Sequence, residues 1–125
     1  MNNEFLIVKN MKLFINSLDN VILVIPNRDR VLKERMFNTC YDVLEILYRC
    51  NYSENKKEYM KDILSKINMI DFYLERCLKK KYITVKEVDK KATELLRITK
   101  MVYGWVRENE SGSKWCNCYI WRWSK

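Results

Sequence analysis

The stretch MKDILSKINMIDFYLERCL, residues 60–78, carries the clearest structural pattern in this sequence. Its apolar side chains recur every three or four residues, which places them on one face of a helix. They are Met60, Ile63, Leu64, Ile67, Ile70, Leu74, Cys77 and Leu78. Ser53 is the predicted N-cap, and the cations of residues 79–81 end the helix where its dipole favours positive charge. A long amphipathic helix is therefore the centre of the predicted fold.

Two further helices are predicted before this one. The first runs from about residue 3 to 25 with a stripe of Val8, Met11, Ile15, Leu18, Ile22 and Ile25. Pro26 ends it, because proline cannot continue the backbone hydrogen bonds of a helix. The second runs from about residue 30 to 51, and Asn27 or Asp29 can cap its N-terminus. Its stripe is Leu32, Met36, Cys40, Val43, Leu44, Leu47 and Cys50.

A fourth helix is predicted to begin at a capping box. In Thr84-Val85-Lys86-Glu87 the two outer side chains can satisfy each other's exposed backbone amides. The apolar stripe that follows is Val88, Ala92, Leu95, Ile98, Thr99, Val102, Trp105 and Val106. Gly104 interrupts this stripe, and a glycine within a helix suggests that another backbone approaches closely there.

Composition favours a single helical domain. The 125 residues include only two glycines and one proline, which are too few for the many tight turns of a sheet protein. Four amphipathic segments with short connections predict an all-α, antiparallel up-down-up-down four-helix bundle over residues 1–110. Residues 111–125 form a predicted basic tail with four large aromatic residues, Trp115, Tyr119, Trp121 and Trp123. No apolar run is long enough for a membrane span and no signal peptide is recognisable, so we expect a cytoplasmic protein.

The sequence does not favour catalysis. It contains no histidine, which is the commonest general base near neutral pH and the commonest metal ligand. Its two glycines match no phosphate-binding loop. Cys40, Cys50 and Cys77 fall at core positions, while Cys116 and Cys118 lack the further ligands that a tetrahedral metal site needs. We therefore expect neither an enzyme nor a cofactor nor a metal site.

The net charge of +8 suggests a polyanionic partner, either nucleic acid or an anionic membrane face. Basic residues cluster at two helix junctions, which share one end of an antiparallel bundle. The predicted nucleic-acid-binding residues are Arg28, Arg30, Lys33, Lys79, Lys80, Lys81, Lys86, Lys90 and Lys91. The alternative is that these cations only solvate loop ends and complement helix dipoles.

Several stretches also carry a family resemblance. They include Ile25-Pro26-Asn27-Arg28-Asp29-Arg30, Tyr82-Ile83-Thr84 and, as the most specific, Ile98-Thr99-Lys100-Met101-Val102-Tyr103-Gly104-Trp105-Val106. Thr99 and Tyr103 stand where the family has glycines. Over residues 6–108 the chain resembles the four-helix proteins that include the accessory variability determinants of diversity-generating retroelements and the proteins of intervening sequences in bacterial 23S ribosomal RNA genes.

This resemblance implies a non-catalytic accessory protein. Such a protein would bind RNA and DNA, contact the reverse transcriptase of its element, and support mutagenic cDNA synthesis as a homopentamer. Tyr48, Tyr73 and Tyr103 exceed one bundle's interior stripe, which also favours a closed oligomer, although they could instead edge the core. The alternatives are an intervening-sequence protein, a general interaction module, or a membrane-surface protein anchored by the tryptophan-rich tail.

Overall fold

The computed structural model describes residues 3–109, and every regular element in that range is helical. In chain order the elements are α1 (Asn3–Ser17), α2 (Asp19–Val24), a 3₁₀ turn (Asn27–Asp29), α3 (Arg30–Asn51), α4 (Lys57–Lys79) and α5 (Val85–Asn109). Only Leu18 separates α1 from α2, and it keeps right-handed helical dihedral angles. With α1 and α2 counted as one helical unit, the prediction of an all-helical fold with four helices is confirmed for residues 3–109. None of the helices described is long and apolar enough to cross a membrane.

The helices bury apolar residues at alternating spacings of three and four. This heptad spacing keeps a narrow apolar seam on one side of each helix, as in coiled coils and many bundles. The seam of α1 and α2 is Ile7, Met11, Phe14, Leu18, Val21 and Ile25, and that of α4 is Met60, Ile63, Ile67, Ile70, Leu74 and Cys77. In α3 it is Met36, Cys40, Val43, Leu47 and Cys50, and the apolar residues of the α5 seam are Val88, Leu95, Ile98, Val102 and Trp105. All these residues belong to one hydrophobic core.

Contacts between the helices follow a ring. Both α1 and α4 pack against α3 and against α5. Each helix therefore has two neighbours, and the four seams meet in the common core.

The first helical unit differs from its prediction in its buried face. Val8 and Ile22 are only partly buried, whereas Ile7, Phe14 and Val21 are fully in the core. Both stripes alternate between spacings of three and four and share Met11, Leu18 and Ile25, so the spacing alone does not decide which flank faces the core. Packing against α3 and α5 decides it. As predicted, the helix ends before Pro26.

The start of α4 also differs from its prediction. The helix begins at Lys57, and Ser53 does not cap it. Instead, the Ser53 hydroxyl accepts a hydrogen bond from the Asn55 amide at 3.1 Å, which forms a local turn. Serine has this alternative because its short side chain can satisfy a nearby backbone group outside a helix.

Lys56 joins three helices at this connection. Its ammonium group donates to the carbonyl oxygens of Cys50, Asn51 and Ser53 at 3.0–3.4 Å, at the negative end of α3. It also lies 5.2 Å from the ring centroid of Trp105 on α5. One cation therefore closes the end of α3 and packs against the aromatic face of another helix.

The capping box of α5 forms as predicted. The Thr84 amide donates to the Glu87 carboxylate at 3.0 Å, and the Glu87 amide donates to the Thr84 hydroxyl at 3.2 Å. The helix accordingly begins at Val85. This local signal is sufficient because both partners lie within one turn of the chain.

Cys40, Cys50 and Cys77 are buried in the core, which confirms their predicted positions. Burial raises the pKa of Cys40 to about 12 and that of Cys77 to about 11. Both thiols are therefore protonated at neutral pH and act as small apolar groups. Cys116 and Cys118, together with the rest of the predicted tail, lie outside the described residues.

Two of the three tyrosines that favoured an oligomer lie in the chain's own core. Tyr73 and Tyr103 are buried within this chain, whereas Tyr48 is exposed with the ammonium group of Lys12 5.8 Å from its ring centroid. Tyr73 and Tyr103 therefore do not exceed what one bundle can bury, because large side chains fit on the flanks of a heptad seam. For these two residues the argument for an oligomer was wrong.

Gly104 has open space around it. A Cβ atom built there would meet no atom of the described residues within 4 Å, so no backbone of residues 3–109 makes the expected close approach. Gly104→Ala should therefore raise the free energy of unfolding by about 1 kcal/mol, because alanine is the better helix former. Urea unfolding followed by circular dichroism measures this change.

The reverse substitution on the same helix, Ala92→Gly, is the matched control. It should lower the free energy of unfolding by about 1 kcal/mol or more. A loss of stability in Gly104→Ala would contradict the prediction and indicate that another segment or a second copy closes on this position.

Candidate nucleic-acid interface

Asp29 joins two junctions that are distant in the sequence. The residue stands at the N-cap of α3, as predicted, but its side chain makes no capping hydrogen bond. Its carboxylate instead accepts from the Lys80 ammonium group at 2.6 Å and from the Tyr82 hydroxyl at 2.8 Å. A charged donor at this distance outweighs a single exposed amide, so the tertiary contact replaces the local cap.

These contacts shift the pKa of the Asp29 carboxyl and that of the Tyr82 hydroxyl in opposite directions. The hydrogen bond from Lys80, followed by that from Tyr82, lowers the pKa of Asp29 below its ordinary value. Burial, together with the hydrogen bond to the Asp29 carboxylate, raises the pKa of Tyr82. At neutral pH the pair therefore consists of a carboxylate and a neutral phenol, with the negative charge balanced by Lys80.

The end of α4 sets the direction of the chain toward Asp29. The Tyr82 amide donates to the Cys77 carbonyl and the Lys81 amide to the Leu78 carbonyl, each at 2.9 Å. This pair of bonds is a Schellman motif, and Lys81 occupies its left-handed position with φ of 65°. A side chain there costs about 1 kcal/mol relative to glycine.

Most of the predicted binding residues are exposed around this link. We define the basic junction surface as Arg28, Arg30, Lys33, Lys79, Lys80, Lys81, Lys86 and Lys90. Lys33 is half-buried, with its ammonium group 3.5 Å from the Asn27 side-chain oxygen. The Asp29 link brings the cations before α3 close to those after α4, while Lys86 and Lys90 lie in the first turns of α5.

Lys91 does not belong to this surface. Only 8% of the residue is exposed, and its ammonium group lies 3.5 Å from the Glu94 carboxylate. It occupies the seam of α5 between Val88 and Leu95, where the spacing of three and four directs a side chain toward the core. Its long hydrocarbon stem makes this position tolerable.

Acidic side chains interrupt the positive surface but do not cancel it. Asp29 is balanced by Lys80, and the carboxylate of Glu87 is held in the capping box. Glu34, Glu75 and Asp89 are exposed nearby. The remaining cations can contact phosphate oxygens, which need charge and donors rather than a deep pocket.

A groove beside this surface contains residues that the sequence analysis did not select. It lies between α3 and α4 and has a volume of about 380 Å³. Arg35, Phe72 and Arg76, which were not predicted, line it together with Lys80 and Asp29. The missed residues lie within helices, away from the basic clusters at the junctions. Their spacing is a usable signal, since Phe72 and Arg76 are one helical turn apart and therefore share a face.

Substitutions at the Asp29 link should change the acid stability of the protein. Because the folded pKa of Asp29 lies below 3.8, the stabilisation from its carboxylate is complete above that value and is lost as pH falls through the lower folded pKa. Asp29→Asn should lower the melting temperature at pH 7 and flatten its pH dependence below pH 4. Tyr82→Phe should lower the melting temperature at neutral pH as well.

Thermal unfolding between pH 2 and pH 7 tests this expectation. Asp62→Asn removes an exposed carboxylate of α4 and is the control. If the melting temperature of Asp29→Asn falls with acid as steeply as those of the parent and the control, the link contributes nothing to stability.

No protein-family model, curated protein or solved structure matches the chain. The family resemblance therefore stays a prediction.

Proposed function

We propose that this chain is a non-catalytic protein that binds the phosphate backbones of RNA and DNA through the basic junction surface. The observation that carries the proposal is the Asp29 link, which holds cations from two distant parts of the chain together. Clustered Lys and Arg side chains attract nucleic acid because each phosphate contact releases condensed counterions. Such contacts carry little sequence information, so we expect binding with little sequence preference.

The same contacts support an antiparallel up-down-up-down arrangement. Lys80, directly after α4, pairs with Asp29 before α3. Lys66, within α4, pairs with Asp42, within α3, at 3.4 Å. The partners therefore advance in opposite directions along the two helices. Together with the ring of helix contacts, this favours two junctions at one end of the bundle, before α3 and after α4, and a single junction at the other end. The basic junction surface would then form one rim of the molecule.

The family resemblance supplies a setting for this binding. We propose that the protein is a cytoplasmic accessory factor of a diversity-generating retroelement, in which it contacts the reverse transcriptase and nucleic acid during mutagenic cDNA synthesis. A homopentamer would repeat the basic rim around a ring and increase its field. The second candidate is an intervening-sequence protein with the same nucleic-acid surface.

Replacing lysines of the basic junction surface should weaken binding to RNA and DNA alike. The triple variant Lys79→Gln, Lys81→Gln, Lys86→Gln keeps Lys80, and with it the Asp29 link. Its affinity should fall, and the slope of log affinity against log salt should become shallower by about two to three, because each lysine accounts for roughly one phosphate contact. Fluorescence anisotropy with labelled oligonucleotides over a salt series measures both quantities.

A matched control removes the same charge elsewhere. Lys9, Lys61 and Lys100 are exposed and lie away from the junctions, so replacing all three with glutamine should change the slope much less. Equal losses in the two triple variants would contradict a localised surface and leave only the effect of net charge.

The retroelement role makes two further expectations testable. The gene should lie beside a reverse-transcriptase gene and a pair of near-identical repeats, and the protein should co-purify with that enzyme. Light scattering coupled to size-exclusion chromatography should give the mass of five chains. A monomer at micromolar concentration, or a gene inside a ribosomal RNA operon, would contradict the retroelement assembly but not the binding surface.

A further inference from the structure

The groove between α3 and α4 combines apolar and cationic side chains. Val31, Met69 and Phe72 line it together with Arg35, Arg76 and the ion pair of Lys80 with Asp29. It adjoins the basic junction surface through Lys80, which belongs to both. A ligand bound along that surface can therefore continue past the Lys80–Asp29 pair to Arg35 and Arg76 in the groove.

Phe72 leaves an aromatic side chain accessible in this groove. Its exposed fraction is 49%, while those of Met69 and Val31 are 42% and 72%. The adjacent Tyr73 is buried and its ring centroid lies 6.3 Å from that of Phe72, so the packed core supports the exposed ring from one side. Exposed apolar groups gathered in one concave place are a common mark of a binding site.

The cations of the groove are placed one helical turn from its apolar residues. Arg76 follows Phe72 by four residues on α4, and Arg35 follows Val31 by four on α3. Side chains with this spacing are neighbours, with Cβ atoms about 5–6 Å apart. A base and the phosphate of its own nucleotide are separated by a distance of this order.

We propose that this groove binds single-stranded nucleic acid, with an unpaired base stacked on Phe72 and the adjoining phosphates held by Arg35 and Arg76. The proposal rests on the function proposed above and names the strand that the surface prefers. A duplex offers phosphates to the basic junction surface, but its bases are stacked inside the helix and cannot reach Phe72. Aromatic residues in a positively charged groove are the usual means of binding single strands without sequence preference.

Variants of Phe72 separate stacking from simple apolar contact. Phe72→Leu keeps an apolar side chain without an aromatic face, and Phe72→Trp keeps the face. We expect Phe72→Leu to lose about fivefold or more in affinity for a single-stranded oligothymidine, and Phe72→Trp to retain the parent's affinity. Affinity for a duplex of equal length should be unchanged in both. Tyr41→Ala, which removes an exposed aromatic residue outside the groove lining, is the control.

A spectroscopic probe reports the stacked base directly. A 2-aminopurine placed within the oligothymidine loses fluorescence when it stacks on an aromatic ring. The parent and Phe72→Trp should quench it on binding, whereas Phe72→Leu should not. Circular dichroism of each variant checks that the helices are intact.

The outcomes distinguish failure of this inference from failure of the proposed function. If Phe72→Leu binds single strands as tightly as the parent while the triple lysine variant still loses affinity, the groove does not stack bases and the basic junction surface stands. If neither variant loses affinity, the proposed function fails. If only co-purification of a protein partner is lost in Phe72→Leu, the groove receives an acidic protein segment and the inference is wrong.

Discussion

The spacing of the buried residues is the constraint on which the rest of the structure depends. An alternation of three and four directs one narrow seam of each helix inward, and four such seams fill a single core. The seam and its immediate flanks are buried, and the outer face of each helix is left to solvent and charge. The basic residues can therefore be numerous without weakening the core, because they occupy junctions and outer faces. The exposed ring of Phe72 likewise lies outside the seam, next to Tyr73, which is buried on the flank of the seam.

The junctions follow a different rule, in which charged tertiary contacts outweigh local preferences. The Asp29 carboxylate makes no capping hydrogen bond and binds Lys80 and Tyr82 instead. Lys81 has a left-handed backbone conformation in the turn that places Tyr82 next to Asp29. A turn with glycine at this position would be more stable but would remove one cation from the proposed surface. The arrangement is consistent with a surface on which charge matters more than the last increment of stability.

The sequence was a good guide wherever the signal was local or periodic. The capping box at Thr84 and the end of a helix at Pro26 formed as predicted, since each depends on a few adjacent residues. The partners of Asp29 could not be predicted, because its alternatives were a nearby amide and a lysine 51 positions away. The groove around Phe72 was missed for a similar reason, as it arises only where two helices are placed side by side. The burial of Lys91 could not be predicted either, because the helical period does not show which of the adjacent positions 91 and 92 faces the core.

Lys91 has a consequence for the register of α5. It is a charged residue at a seam position, tolerated because its stem is apolar and its ammonium group meets Glu94 near the surface. If α5 slid by seven residues toward its own C-terminus, Lys91 would take the place of Ile98, which is completely buried. An ammonium group there would lose its solvation. Glu94 would move with it on the same helix, but the cost of burying the charge would remain. Val88 and Leu95 would move to places that already hold apolar side chains, so Lys91 is the residue at the start of this seam whose charge disfavours the shifted alignment.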